Sequence, residues 1–491
     1  MDSVAFQYLP QAEIKAYQEQ CLVETLAYVN ERSPFYRRRF AEAGIDVSSI
    51  RRLEDLVRLP VTTKEDLQRH NEDFLCVPRT EILDYVTTSG TLGEPVTFAD
   101  TRRDLDRLAL SEYLSYEICG CRPDDVIQLM ATNDRCFMAG QACLLGSFRL
   151  GSAIVRVGNG IPELQWNMIR RLRPTVCVCV PSFILKLIDY ARAQGIDYRS
   201  CSLRRAFCVG ETVRTNTHEL NLLGRKIHDL WPELSLHVNY ASTEMQSSFM
   251  ECEHQCGSHH KPDLTIVEFL DDDNRPVGPD EPGEITITTL GVEGMPVVRF
   301  KTGDVCRHFE APCACGRHSL RVGPIIGRKG QMIKFKGTAL YPAALYDILD
   351  NVPEVTNYIV EVYTNAIGTD GIRILVGAGE SPDEGFEKRL KDLFRSKVRV
   401  APDIVFEPTE LVACAAGFYF YHDAQAGKEL DEYEYAMRSS DPAVLQAYLD
   451  TFTDAPRAHI DSIQAHLTLL MQSDRDWTNA LVSNSKSVFE D

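Results

Sequence analysis

No stretch of this sequence is long and apolar enough to cross a bilayer. The longest apolar run, residues 176–187, contains Pro181 and Lys186, whereas a spanning helix takes about 20 consecutive apolar residues. The first residues, MDSVAFQYLPQAEIK, lack a basic segment leading into an apolar one, so no secretory leader is expected. Positive charge is scarce: 52 Lys and Arg stand against 71 Asp and Glu, a formal net charge of -19. That balance argues against unspecific binding to nucleic acid or to an anionic membrane. Internal repeats and low-complexity segments are also missing, which sets aside repeat architectures.

What is present is an ordinary globular composition. The 491 residues are 44% hydrophobic and 25% charged, room for about two to four domains with sizeable cores. Without a leader, a cytoplasmic location is expected. The 16 cysteines would there stay mostly reduced, and a close Cys/His cluster would point to metal, not to disulfides.

One stretch organises the rest. Thr87-Thr88-Ser89-Gly90-Thr91-Leu92-Gly93-Glu94-Pro95 lies between apolar runs at 82–86 and 96–98. A hydroxyl- and glycine-rich loop is therefore predicted between two strands. Glycine lets backbone approach an anion, and successive N–H groups form a nest. The chemistry suits a triphosphate; a polar hairpin loop is the plainer alternative. No Gly-Lys-Ser/Thr closes this loop and no GxGxxG follows a strand here, which excludes a Walker A or dinucleotide loop.

Along the chain, residues 10–45 read as helix interrupted at Ser33-Pro34-Phe35-Tyr36. A segment around Leu53 and Leu56 stops at Pro60, and Thr62-Thr63-Lys64-Glu65-Asp66 reads as a helix start with a threonine cap and early acids. Helices are then predicted over 101–117, 161–173 and 182–192, and strands over 126–130, 175–180 and 206–209. Strand and helix in alternation imply a parallel sheet with helices on its faces. From about residue 264, strands at 264–270 and 284–289 are separated by Gly-, Pro- and Asp-rich turns, as in an antiparallel subdomain. Residues 330–410 return to a small α+β pattern, with strands at 332–335, 355–362 and 372–378 and helices at 343–350 and 386–398. Past 428, Asp441-Pro442 is a helix cap with a first-turn proline. Ile460, Ile463, Leu467 and Leu470 form an amphipathic stripe. Two or three helices are expected there, packing on the body or on a second copy in a homodimer. The expected class is α/β in three parts: 1–328 with a β-rich subdomain at about 250–325, a small domain at 329–427, and a helical extension at 428–491.

Three further motifs carry chemistry. In Asn239-Tyr240-Ala241-Ser242-Thr243-Glu244 an apolar strand leads to an aromatic and one carboxylate. An aromatic can stack on a purine, and a carboxylate near phosphates can hold Mg2+; a capped strand end is the alternative. In Arg299-Phe300-Lys301-Thr302-Gly303-Asp304 the aspartate after a turn is an acceptor suited to ribose hydroxyls. Gly327-Arg328-Lys329-Gly330-Gln331-Met332-Ile333-Lys334 is a basic connector between two domains. Separately, Cys252, His254, Cys256, His259 and His260 are close in sequence, and Cys313-Ala314-Cys315-Gly316 follows about sixty residues later. Thiolates and imidazoles are tetrahedral zinc ligands, and both groups fall in turn-rich sequence. Cys177/Cys179 and Cys119/Cys121 read instead as core thiols.

As an ordered set, the loop and these three motifs resemble those of the adenylate-forming superfamily, which includes acyl-CoA synthetases and peptide-synthetase adenylation domains. The nearest branch is the phenylacetate–coenzyme A ligases. Leader features agree: Ser33-Pro34-Phe35-Tyr36, Ala43-Gly44-Ile45 and Leu59-Pro60-Val61-Thr62-Thr63-Lys64, as does Gly210-Glu211. The resemblance covers roughly residues 10–410. It implies a large N-terminal AMP-binding domain and a small mobile C-terminal one. It implies that Thr88, Ser89, Gly90, Thr91 and Gly93 cradle the phosphates of ATP. Gly210, Glu211, Tyr240, Ala241, Ser242 and Thr243 would line the adenine side, with Tyr240 stacking. Glu244 would bind Mg2+, Asp304 and Arg328 the ribose, and Gly330 would be the hinge. The branch's Glu-Cys…Gly-x-His and Cys-x-Cys-Gly pattern selects Cys252, His259, Cys313 and Cys315 as ligands of a structural zinc, leaving His254, Cys256 and His260 as spares.

The implied reaction has two halves. A carboxylate attacks the α-phosphate of ATP, and a thiol, usually coenzyme A or a carrier protein's, then displaces AMP. By resemblance the substrate is a small aromatic or arylacetic acid; no nucleic acid or membrane takes part. The sequence departs from the family at three places. Lys329-Gly330 stands at the hinge where the family usually has an acidic residue. Residues 407–421 hold no lysine where the family's catalytic lysine is usual, and Lys428 is the nearest candidate. Leu92 and Glu94 stand where Thr and Lys are usual, and Glu94 places negative charge near the phosphates. Two alternatives to a thiol ligase therefore stay open: an amide-forming variant, and a relative that only binds nucleotide or scaffolds a complex.

Overall fold

A computed structural model describes residues 3–88, 96–329, 333–335, 338–364, 370–378, 385–398, 400–408 and 480–481. The chain separates into two compact units, Met1–Lys329 and Gly330–Asp491.

After the one-turn helix Ser3–Phe6, the first unit runs through helices Gln11–Arg32 and Pro34–Glu42. The break between them is local chemistry. Ser33 takes an extended φ/ψ, its hydroxyl accepts from Tyr36 N, and Pro34 sits at the first helical position, where its missing N–H costs nothing. Helix Lys64–Arg69 starts at Thr63, whose side chain and that of Asp66 form a reciprocal capping box.

The main sheet has nine strands among the described residues. Its order is His308–Phe309, Arg321–Val322, Ser258–His259, Ser247–Glu251, Ser235–Ser242, Arg205–Val209, Val176–Cys179, Val126–Leu129, Ala153–Arg156. The last five pair in parallel, as strand–helix alternation predicts. The Val-Cys-Val-Cys strand is buried along its whole length, which is why it reads as an apolar run without alternation. Beyond Ser235–Ser242 the pairing turns antiparallel. The region at about 250–325, expected as one β-rich subdomain, is thus divided. Its two-residue strands extend the edge of the main sheet. Thr265–Leu270, Gly283–Thr289, Phe300–Cys306 and Gly327–Arg328 form a separate four-stranded sheet. Strands Ile82–Thr87 and Thr97–Thr101 form an antiparallel hairpin.

In the second unit, Val355–Thr364 and Asp370–Ala378 pair antiparallel, Asp403–Pro408 joins in parallel, and helices Pro342–Asp350 and Phe386–Val398 pack on its apolar core. The helices expected over 441–470 lie outside the described residues. Ala480–Leu481 pairs with Val360 and Glu361.

Candidate functional site

The hairpin that carries the hydroxyl- and glycine-rich loop is closed by its own threonines. Thr87 and Thr97 are register partners. Thr88 N donates to Val96 O at 2.9 Å, and Val96 N donates to Thr88 Oγ1 at 3.1 Å. Thr88 is buried. Ser89, Gly90, Thr91 and Gly93 lie outside the described residues, as do Gly330 and Lys428.

Tyr240, Asp304 and Arg328 converge. Strand Ser235–Ser242 carries Tyr240, whose hydroxyl donates to Asp304 Oδ2 at 3.0 Å. Asp304 and Arg328 are cross-strand partners in the four-stranded sheet, and Arg328 Nε donates to Asp304 Oδ1 at 3.1 Å. Gly303, at φ 81°, supplies a left-handed residue just before Asp304 that a side chain would resist. Burial pushes the Tyr240 phenol up, and the neighbouring Asp304 charge adds to the shift, so the hydroxyl keeps its proton and acts as donor. Arg328 is more than half exposed while Asp304 is nearly buried. The result is a largely buried carboxylate flanked by a ring and an exposed cation, an acceptor site for hydroxyls.

Glu244 lies in the turn between strands Ser235–Ser242 and Ser247–Glu251. Ser242 Oγ accepts from Met245 N at 3.2 Å, and Gln246 N donates to Thr243 O at 3.1 Å. Ala241 is exposed; Ser242, Thr243 and Glu244 are half-buried. Gln246 closes the turn at φ 49°, with two ties to the rest of the fold. Its side chain donates to Met295 O, and its carbonyl accepts from Arg107 Nη1 at 2.6 Å. Gly210 takes φ 79°, and the Glu211 carboxylate accepts from Ser182 N and Oγ, both at 2.9 Å. Ser182 is in the first turn of helix Pro181–Ala193, so Glu211 satisfies an orphan N–H there.

The structure gathers the four residues that the resemblance selects as zinc ligands. Cys252, His259, Cys313 and Cys315 present ligand atoms all within 4.8 Å of one another. Cys252 Sγ lies 3.7 Å from Cys313 Sγ, and Cys315 Sγ lies 3.5 Å from His259 Nε2. Tetrahedral zinc, with Zn–S of about 2.3 Å and Zn–N of about 2.0 Å, sets ligand–ligand edges of about 3.8 and 3.5 Å. The donor set therefore fits that ion. His259 Nδ1 is 3.0 Å from Ser319 Oγ, which orients the ring with Nε2 inward, and burial holds the imidazole neutral. Hydrogen bonds with Cys252 and then His259 draw the Cys315 thiol down toward thiolate, while the same bond and burial push Cys252 up. The spares have other partners. His260 is buried with Nδ1 on Leu320 O, and His254 is partly exposed beside Glu253. Cys256 Sγ is 3.7 Å from Cys313 and accepts from Arg321 at 2.8 Å.

Sequence reasoning missed the residues that hold these parts in place. Arg107 is buried and gives all three nitrogens to backbone carbonyls, those of Leu290, Gln246 and Leu264. Lys261 is buried among Ser111, Ser115 and Ser248. Lys329, the last residue of the first unit, pairs with Asp272 at 2.8 Å and Glu284 at 3.2 Å. Each depends on contacts distant in sequence, so no local pattern marks Arg107 or Lys261, and Lys329 stands out only as part of the basic connector.

The family described as AMP-binding enzyme matches residues 38–294. The phenylacetate-coenzyme A ligase of Thermus thermophilus is 34% identical over 71% of this chain and 77% of its own. The enzyme of that name from Escherichia coli is 31% identical over 68% of this chain and 75% of its own. A crystal structure of 2-hydroxyisobutyryl-CoA ligase in the postadenylation state superposes with a TM-score of 0.71, covering 82% of this chain and 87% of that one at 23% identity. That likeness shows a shared fold.

Proposed function

The chain belongs to the AMP-binding enzyme family, and from that premise we propose that its substrate is an aromatic or arylacetic acid. It is an AMP-forming acid–CoA ligase: it activates a carboxylic acid with ATP as an acyl adenylate and passes the acyl group to coenzyme A. The substrate class rests on relatives at 34% and 31% identity that are both phenylacetate-coenzyme A ligases.

The convergence of Tyr240, Asp304 and Arg328 carries the nucleotide site. Asp304 takes the ribose hydroxyls, with Arg328 beside it, and the Tyr240 ring lies against the adenine. The loop from Thr88 to Gly93 takes the phosphates. Glu244 holds Mg2+ against them, since this ion keeps few protein oxygens and relies on phosphate oxygens. Catalysis of adenylation in such a site is chiefly positioning and charge neutralisation. Cys252, His259, Cys313 and Cys315 hold a zinc ion; four protein donors leave no open position, so its role is structural.

Competition tests the substrate class. Equimolar phenylacetate, benzoate, acetate and hexanoate, offered together with ATP, Mg2+ and coenzyme A, should give chiefly an aryl thioester by mass spectrometry. A product mixture dominated by acetyl- or hexanoyl-coenzyme A would reject an aromatic pocket.

A further inference from the structure

The leader motifs Ser33–Tyr36 and Leu59–Lys64 touch none of the groups given a chemical role above, yet they hold a buried framework. Phe35 stacks on Phe74 with ring centroids 4.1 Å apart, and Tyr36 meets Phe74 edge-on at 5.5 Å. Ser33 Oγ donates to Asp73 O at 2.9 Å. Tyr36 Oη lies 3.1 Å from Thr62 Oγ1 and accepts from Val298 N at 2.8 Å. The short helical turn Asn71–Phe74 is thereby fixed to the core.

Asn71, at the head of that turn, faces the loop hairpin. Its Nδ2 donates to Thr97 O at 2.9 Å, and its Oδ1 accepts from Thr97 N at 3.2 Å. The planar amide thus copies the donor–acceptor pair of a neighbouring strand. Thr97 is the first residue of the strand leaving the loop, and its register partner Thr87 is the last of the strand entering it. Thr87 N in turn donates to Cys136 O at 2.9 Å. Both ends of the loop are therefore held from outside the hairpin, the exit by one side chain anchored on the aromatic core.

We propose that Asn71 is a positioning residue for the triphosphate: it fixes the exit of the phosphate loop through Thr97 and never touches the nucleotide. This rests on the loop assignment made above. Alanine removes both bonds; aspartate keeps the acceptor but sets a charge against Thr97 O. An extra methylene, as in glutamine, would displace the amide from its pairing distance.

The test compares Asn71→Ala and Asn71→Asp with a control on the same turn, Glu72→Gln, whose exposed side chain pairs with Arg79. Both Asn71 variants should raise KM for MgATP roughly tenfold, the scale of losing a paired amide. KM for the acid and for coenzyme A should stay within about twofold of wild type on that account. Amide exchange at Val96–Phe98 should quicken in both, and the control should match wild type. An unchanged KM for MgATP, or a uniform loss in all three substrates with the melting temperature, would overturn the proposal. Calorimetry of wild type with a non-hydrolysable ATP analogue separates the premises. No binding there would reject the phosphate-loop reading, while exchange at Thr97 would still decide whether Asn71 holds the loop exit.

Discussion

The surroundings of Asp100 do not fit its charge. It is buried on strand Thr97–Thr101, and neither carboxylate oxygen has a hydrogen-bond partner among the described residues. Its cross-strand partner is Asp84. Burial first, then the charges of Asp104 and Asp84, raise its pKa to about 7, against a weaker opposing effect from Arg107. The folded protein thus holds a proton that the unfolded chain releases near pH 4. This group's contribution to stability is complete below about pH 4 and is lost as pH rises from there to about 7. Asp100→Asn mimics the protonated form. The melting temperature of the variant relative to wild type should therefore climb between pH 5 and pH 8, by an amount corresponding to a few kcal/mol at most. An equal difference at both pH values would contradict a buried neutral carboxyl. Local chemistry made some residues legible from the sequence alone: the Ser33-Pro34 break, the Thr63 cap, the core thiols Cys177 and Cys179. Asn71, Asp100 and Arg107 were not, because their partners are remote in sequence or, for the Asp100 carboxylate, not found among the described residues.

At the scale of elements, period and propensity located strands and helices well wherever one face is buried by neighbours close in the chain. The parallel strands Val126–Leu129, Val176–Cys179 and Arg205–Val209 are examples, whereas the edge strand Ala153–Arg156 was not foreseen. Strand Ser235–Ser242 runs through the Tyr240 motif, four residues past the apolar run that marks it. The extension exists because Ser247–Glu251 folds back to pair with it, which no apolar pattern records. The strands Ser258–His259, His308–Phe309 and Arg321–Val322 have two residues each and were not foreseen. Segments that short have little stability of their own. The Cys252–His259–Cys313–Cys315 cluster sits among them, and a tetrahedral ion would cross-link this sheet edge. Metal analysis of purified protein should give about one zinc per chain by this donor count. Cys313→Ser should lower zinc content and quicken amide exchange over residues 308–322. A metal-free wild type with the same melting temperature would remove the ion from the account.

At the scale of the molecule, the chain divides into two compact units between Lys329 and Gly330. The basic connector there was visible as composition. The pairing of Lys329 with Asp272 and Glu284 was not, since it depends on the fold of the four-stranded sheet. No described helix is long and apolar enough to cross a membrane. This molecule adenylates an acid and hands it to coenzyme A, and the proposed holder of its Mg2+ is Glu244. The most direct test of both is pyrophosphate release from MgATP across a panel of aryl and aliphatic acids, each with and without coenzyme A, in wild type and Glu244→Gln. Wild type should release pyrophosphate in an acid-dependent way, stimulated by coenzyme A, and the variant should lose at least about a hundredfold, the scale of removing one transition-state electrostatic contact. No release with any acid would contradict adenylation, and near-normal release by Glu244→Gln would remove that residue from the metal site.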